Sequence, residues 1–120
     1  MQNGQDFGRK VYLFNLSMRG EREPAEWQAL ILDICRLMEM HPAHTATTCH
    51  YPVDGRGGVG FTIFQPITES FLVLDAWPDH QGAYIFICSC KQFDRQKVFD
   101  FLTLEHRFPV IEAQESGLSL

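Results

Sequence analysis

The chain has 120 residues, enough for one hydrophobic core but not two, and its 45% hydrophobic and 21% charged residues are ordinary globular composition. A formal charge of -5 with scattered basic residues argues against a general nucleic-acid binder, which needs clustered Lys and Arg to engage phosphate. No apolar run approaches the roughly 20 residues that span a bilayer. The polar start MQNGQDFGRK lacks the apolar region of a signal peptide. A single cytoplasmic domain over residues 1–120, with no nucleic-acid or membrane partner, is expected.

In chain order, KVYLFNL (10–16) is rich in β-branched and aromatic residues and reads as a first strand. Pro24 stands where a first helical turn accepts proline. From Ala25 to Met40, Trp27, Leu30, Ile31, Ile34, Leu37 and Met38 recur at helical spacing, which predicts an amphipathic helix ended by His41-Pro42. TATTCHY (45–51) reads as a second strand. PVDGRGGVG (52–60) is a glycine-rich turn, but the residues after it, FTIF, form a strand rather than the helix that phosphate cradling needs. After Gln65-Pro66, the segments Ser70–Trp77 and AYIFICSC (83–90), joined by PDHQG, look like paired antiparallel strands. Asp94 is a candidate N-cap for a second helix that buries Val98, Phe99, Phe101 and Leu102. FPVIEAQ (108–114) reads as a short last strand and ESGLSL as a tail. The order β-α-β-β-β-β-α-β predicts an α+β two-layer sandwich, an antiparallel sheet with two helices on one face.

The four cysteines, Cys35, Cys49, Cys88 and Cys90, are expected as reduced thiols in a cytosolic chain. Cys88 and Cys90 fall on one face of a strand. Neither their spacing nor that of His41, His44, His50 and His80 is a metal-ligand pattern, so no metal is expected. Two features resist a plain structural reading: the polar step Glu69-Ser70 at the start of an apolar strand, and Asp75 just ahead of Trp77-Pro78-Asp79.

With these elements placed, the chain resembles the prokaryotic-type, pyruvoyl-dependent S-adenosylmethionine decarboxylases. GRKVYLFNL is similar to that family's opening strand. GGVGFTIFQPITESFLVLDAWPD resembles its glycine turn, cleavage strand and Trp-Pro-acid turn. AYIFICSCKQFDRQKVFDFL resembles its cysteine-bearing strand and second helix. The resemblance implies self-cleavage between Glu69 and Ser70, with Ser70 converted to a pyruvoyl cofactor. That group forms a Schiff base with a small amino-acid-type substrate and takes up the electrons released with CO2. The activity implied is decarboxylation of S-adenosylmethionine in polyamine biosynthesis, by a homodimer.

Residue by residue, the resemblance implies Ser70 as the processing serine and Cys90 as the proton donor, with Cys88, two residues earlier on the same face, as the alternative donor. Asp79 stands at the acid expected to meet ribose hydroxyls, Trp77 beside it is a candidate substrate contact, and Tyr51 lies where the family places an aromatic that stacks on adenine. The chain also departs from the pattern. Phe71 and Asp75 replace the histidines that follow the family's serine directly and at five residues, and Val59 replaces the serine of its glycine turn. Asp75 is then a candidate processing base or a partner for a substrate cation. A second reading follows from the departures: an unprocessed homologue that keeps the fold and acts as a binding or regulatory partner. A third is a plain α+β module sharing only the fold.

Overall fold

The computed structural model describes residues 10–52 and 59–119. The N-terminal run 1–9 and residues 53–58 of the glycine-rich turn lie outside the described residues. The elements are β1 (Lys10–Arg19), α1 (Pro24–Leu37), β2 (Thr47–Pro52), β3 (Val59–Ile67), β4 (Ser70–Trp77), β5 (Gly82–Ser89), α2 (Arg95–Asp100) and β6 (Val110–Ser119). The strands form one antiparallel sheet in the order β2-β3-β4-β5-β1-β6. The fold is the expected α+β sandwich, with the order of elements read from the sequence.

Period-two alternation separates the two faces of the sheet. On β4, Leu72, Leu74 and Ala76 are buried, while Phe71, Val73, Asp75 and Trp77 alternate with them and are only half-buried. On β5, Ala83, Ile85 and Ile87 are buried, and Tyr84 and Phe86 are exposed. The covered face meets Trp27, Ile31 and Ile34 of α1, with Val98 of α2 and Leu102 of the π-helical turn that continues it, in one core. Each fully buried Leu or Ile stabilises the fold by about 1.5–3 kcal/mol. Among the described residues the opposite face carries no helix. No helix among the described residues is long and apolar enough to cross a membrane.

Three expectations need correction. First, α1 stops at Leu37 rather than Met40, because Glu39 adopts φ 57° and closes a Schellman motif. In it Glu39 N–H bonds to Arg36 O and Met40 N–H to Cys35 O. The buried Met38 and Met40 extend the apolar pattern past the real helix end.

Second, β3 runs through Gln65-Pro66 instead of ending before them. By Pro66 the neighbour β2 has ended, so the missing N–H faces an edge, where the Pro66 carbonyl accepts Ala43 N–H instead. Third, the supposed tail is strand: Glu115 pairs with Phe14, and Ser119 with Lys10. The ten-residue β1 offers an open edge, and backbone pairing satisfies it whatever the side chains. Beyond Val110 every described β6 residue is exposed, so no apolar alternation marks the strand. The second helix keeps its expected cap, Asp94 accepting from Gln96 and Lys97 N–H, but Phe99 and Phe101 are half-buried only.

Candidate active site

The turn between β3 and β4 has two residues, Thr68 and Glu69, and Ile67 pairs with Ser70 across it. Ser70 has φ 154°, a conformation that side-chain-bearing residues rarely adopt and that costs about 1–3 kcal/mol. Such strain persists only where surrounding contacts over-determine it. Here the Glu69 carbonyl accepts Cys90 N–H at 2.9 Å, while Ser70 pairs with Ser89 of β5. The Ser70 hydroxyl donates to Cys88 Sγ at 3.7 Å. Cys88 is 9% exposed, whereas Cys90 is exposed and sits one residue beyond Ser70's partner Ser89.

The Glu69 side chain is held as firmly as its carbonyl. Oε1 accepts His41 N–H at 3.1 Å, and Oε2 lies 3.2 Å from His41 Nδ1. Burial by itself raises the Glu69 pKa. The two His41 hydrogen bonds and the His41 charge outweigh it, and the carboxyl is held below its ordinary value. The same carboxylate acts on Cys35. Burial first, then the Glu69 charge, push that thiol up to about 11, so Cys35 is an inert core thiol at neutral pH.

A second cluster lies further along β4. Asp75 Oδ1 accepts the hydroxyls of Tyr51 and Thr62, each at 2.7 Å, and Oδ2 accepts Trp77 Nε1–H at 2.7 Å. The register explains the meeting: Thr62 faces Asp75, and Tyr51 faces Gly60. A Cβ built on Gly60 stands 2.5 Å from Tyr51 Cε2, so only glycine lets the tyrosine ring lie flat there. Desolvation, followed by the hydrogen bond to Asp75, raises the Tyr51 pKa and keeps the phenol a donor.

The structure therefore joins Asp75, Tyr51 and Trp77, and separately joins Glu69, Ser70 and the Cys88–Cys90 strand end. It does not join Asp75 to Ser70 of the same chain. They stand five strand positions apart, about 17 Å at roughly 3.3 Å per residue. Asp79 follows Trp77 in a 3-10 turn, Pro78–His80. Its Oδ1 is buried with no hydrogen-bond partner among the described residues, and its Oδ2 lies 3.6 Å from His80 Nε2. A cavity of ≈ 280 Å³ opens beside Trp77, His80 and Tyr84. Cavities of ≈ 440 Å³ and ≈ 450 Å³ flank α1, and the Ser70 cluster lines neither.

Sequence reasoning missed the roles of His41 and Thr62, and held Cys88 only as an alternative to Cys90 for the proton donor, not as a partner of Ser70. The two-residue turn pairs 67 with 70 and hence 62 with 75, so a hairpin reading of Thr68-Glu69 finds Thr62. His41 was visible only as a helix stop, because its contact with Glu69 spans 28 residues.

Residues 21–116, most of the chain, match the sequence model of the family described as S-adenosylmethionine decarboxylase. No curated protein matches the chain. Among solved structures it is similar to the crystal structure of the adenosylmethionine decarboxylase from Aquifex aeolicus VF5. The TM-score is 0.58 at 13% identity, over 92% of this chain and 88% of that one, a likeness of fold. The chain belongs to the S-adenosylmethionine decarboxylase family, a family of carboxy-lyases.

Proposed function

We propose that this chain is a self-cleaving, pyruvoyl-dependent decarboxylase that acts on S-adenosylmethionine in polyamine biosynthesis. The observation that carries the reading is the strained Ser70, whose preceding carbonyl is already hydrogen-bonded to Cys90 N–H. Ser70 Oγ attacks the Glu69 carbonyl carbon. The amide C–N bond breaks and the hydroxyl proton passes to the Ser70 nitrogen, leaving an ester. Developing negative charge on the Glu69 oxygen is met by the Cys90 N–H, the arrangement of an oxyanion hole. Cys88 Sγ, the acceptor of the Ser70 hydroxyl, orients Oγ and relays its proton. Loss of the Ser70 Cα proton and cleavage of Cβ–Oγ then release Glu69 as a carboxylate. Water replaces the freed amino group, and ammonia leaves.

The residues present fit a pyruvoyl group at position 70, since the strained Ser70, the polarised carbonyl and two neighbouring thiols meet at one strand end. When formed, the group supplies an electron sink for decarboxylation. Around it, Cys90 supplies the proton returned to the substrate carbon, one residue from the partner of Ser70. Trp77 and Tyr51, fixed by Asp75, give the substrate an aromatic wall. Asp79 offers its unpaired Oδ1 to ribose hydroxyls once the 3-10 turn shifts, since a buried unpaired acceptor costs about 1–3 kcal/mol. In this reading Asp75 is a positioning residue and not the processing base.

The functional unit we propose is a homodimer through the open face. That face exposes Phe64 at 42%, Tyr84 at 44% and Phe86 at 41%, with Phe64 stacked on Phe71. Contiguous exposed aromatics of this kind mark an interface. Two copies packed with β4 strands antiparallel set the Trp77 end of one over the Ser70 end of the other. The enzymatic test is release of labelled CO2 from carboxyl-labelled S-adenosylmethionine by the purified chain. The wild type is expected to release it and Ser70→Ala is not; equal background from both contradicts the proposal.

A further inference from the structure

We infer that the segment Glu39–Ala43, centred on His41, is the positioning element of the self-cleavage: it holds the Thr68–Glu69 turn in the shape that strains Ser70. The inference rests on the self-cleavage reading above. It follows from how completely this segment grips the turn. Thr68 N–H donates to His41 O at 2.8 Å, and Ala43 N–H donates to Pro66 O at 3.0 Å. Pro42 forms a bridge to Ile67, and the Thr68 hydroxyl donates to His41 O at 3.3 Å. His41 N–H and Nδ1 reach the two oxygens of the Glu69 carboxylate, at 3.1 Å and 3.2 Å. The segment is anchored in turn, because Glu39 ends α1 and its carbonyl accepts Lys91 Nζ at 2.9 Å.

The geometry gives His41 a task that general support of the fold does not require. The φ of Ser70 is the angle between the Glu69–Ser70 peptide plane and the rest of Ser70. Pairing with Ser89 fixes Ser70 itself. The peptide plane is fixed by the Glu69 carbonyl, held by Cys90 N–H, and by the Glu69 side chain, held by His41. With both ends fixed, the strain cannot relax by rotating that plane. Without the His41 ring the Glu69 carboxylate is held at one oxygen, by the His41 N–H, instead of at two, so the side chain can pivot and the plane can turn toward an ordinary φ. The attack geometry at the Glu69 carbonyl is then lost.

His41 is 76% exposed and packs against little else, so its replacement leaves the core intact. The experiment follows conversion of freshly made full-length chain into two fragments by intact mass over time. His41→Ala is expected to slow conversion about tenfold, or about 1.4 kcal/mol. His41→Asn is expected to restore the rate to within about twofold, because its amide N–H can take the place of Nδ1–H. Glu69→Ala, which loses the backbone contact as well as the ring contact, is expected to slow conversion at least as much as His41→Ala, and the double variant no further than Glu69→Ala. Thermal melts of all variants check folding. Equal rates for wild type and His41→Ala, or a folded His41→Asn as slow as His41→Ala, overturn this inference alone. A wild-type chain that never converts overturns both it and the self-cleavage reading.

Discussion

Replacing Asp75 by Asn tests the cluster on which the substrate wall depends. The carboxylate accepts three short hydrogen bonds, from Tyr51, Thr62 and Trp77. An asparagine oxygen can still accept from the two hydroxyls, but its amide then faces the Trp77 N–H, donor against donor. Hydrogen bonds to a charged acceptor contribute about 1.5–3 kcal/mol and neutral ones about 0.5–1.5 kcal/mol. The site is half-buried, so the low end applies. One lost bond and two weakened ones, each of the latter by about 1 kcal/mol, amount to about 3.5 kcal/mol. With an unfolding entropy of about 2.1 cal/mol/K per residue, that lowers Tm by about 14 °C. Urea unfolding and thermal melts measure the loss directly. Because Asp75 helps to raise the Tyr51 pKa, an ultraviolet phenol titration is also expected to move down for one tyrosine. A variant within about 0.5 kcal/mol of wild type, with an unchanged titration, refutes the three-donor cluster.

Other consequences concern the thiols, the carboxylate and the open face. Cys88→Ala is expected to slow self-cleavage several-fold, whereas Cys90→Ala is expected to cleave and then lose turnover by about 10²-fold or more, as general acids contribute. Reversed outcomes in gel and CO2-release assays exchange the two roles. The Glu69 carboxyl has a folded pKa below its ordinary value near 4.5. Its contribution to stability is therefore present above that value and is lost as pH falls through the folded pKa. Denaturation of wild type and Glu69→Gln should differ at pH 6 and converge at the acid end; a gap that widens on acidification has the wrong sign. Phe86→Glu, on the open face, is expected to convert a dimer into monomers in sedimentation, while an unchanged dimer places the interface elsewhere.

What was legible in the sequence was whatever repeats. The stripe Trp27, Ile31, Ile34 and the alternation of Leu72, Leu74 and Ala76 announced a helix and a strand, because burial of one face imposes those periods. β6 reads short in the sequence because an exposed edge strand needs only backbone partners. The α1 end reads long because Glu39 takes a left-handed conformation for which glycine is the usual signal. Family likeness supplied the positions Ser70, Trp77, Asp79 and Cys90. What joins them stayed hidden: Asp75 collects donors from three strands, and His41 reaches Glu69 across 28 residues. Such contacts exist only once register and turn length are fixed.

In the proposed function, Glu69–Ser70 is a bond this protein breaks by itself. Intact mass of the purified wild-type chain after extended incubation measures that directly. Self-cleavage gives two species, residues 1–69 and residues 70–120, the second with a pyruvoyl end that resists amino-terminal sequencing, and leaves a Ser70→Ala chain whole. A wild-type mass that remains that of the single uncut polypeptide contradicts it and leaves the fold to serve as an unprocessed partner.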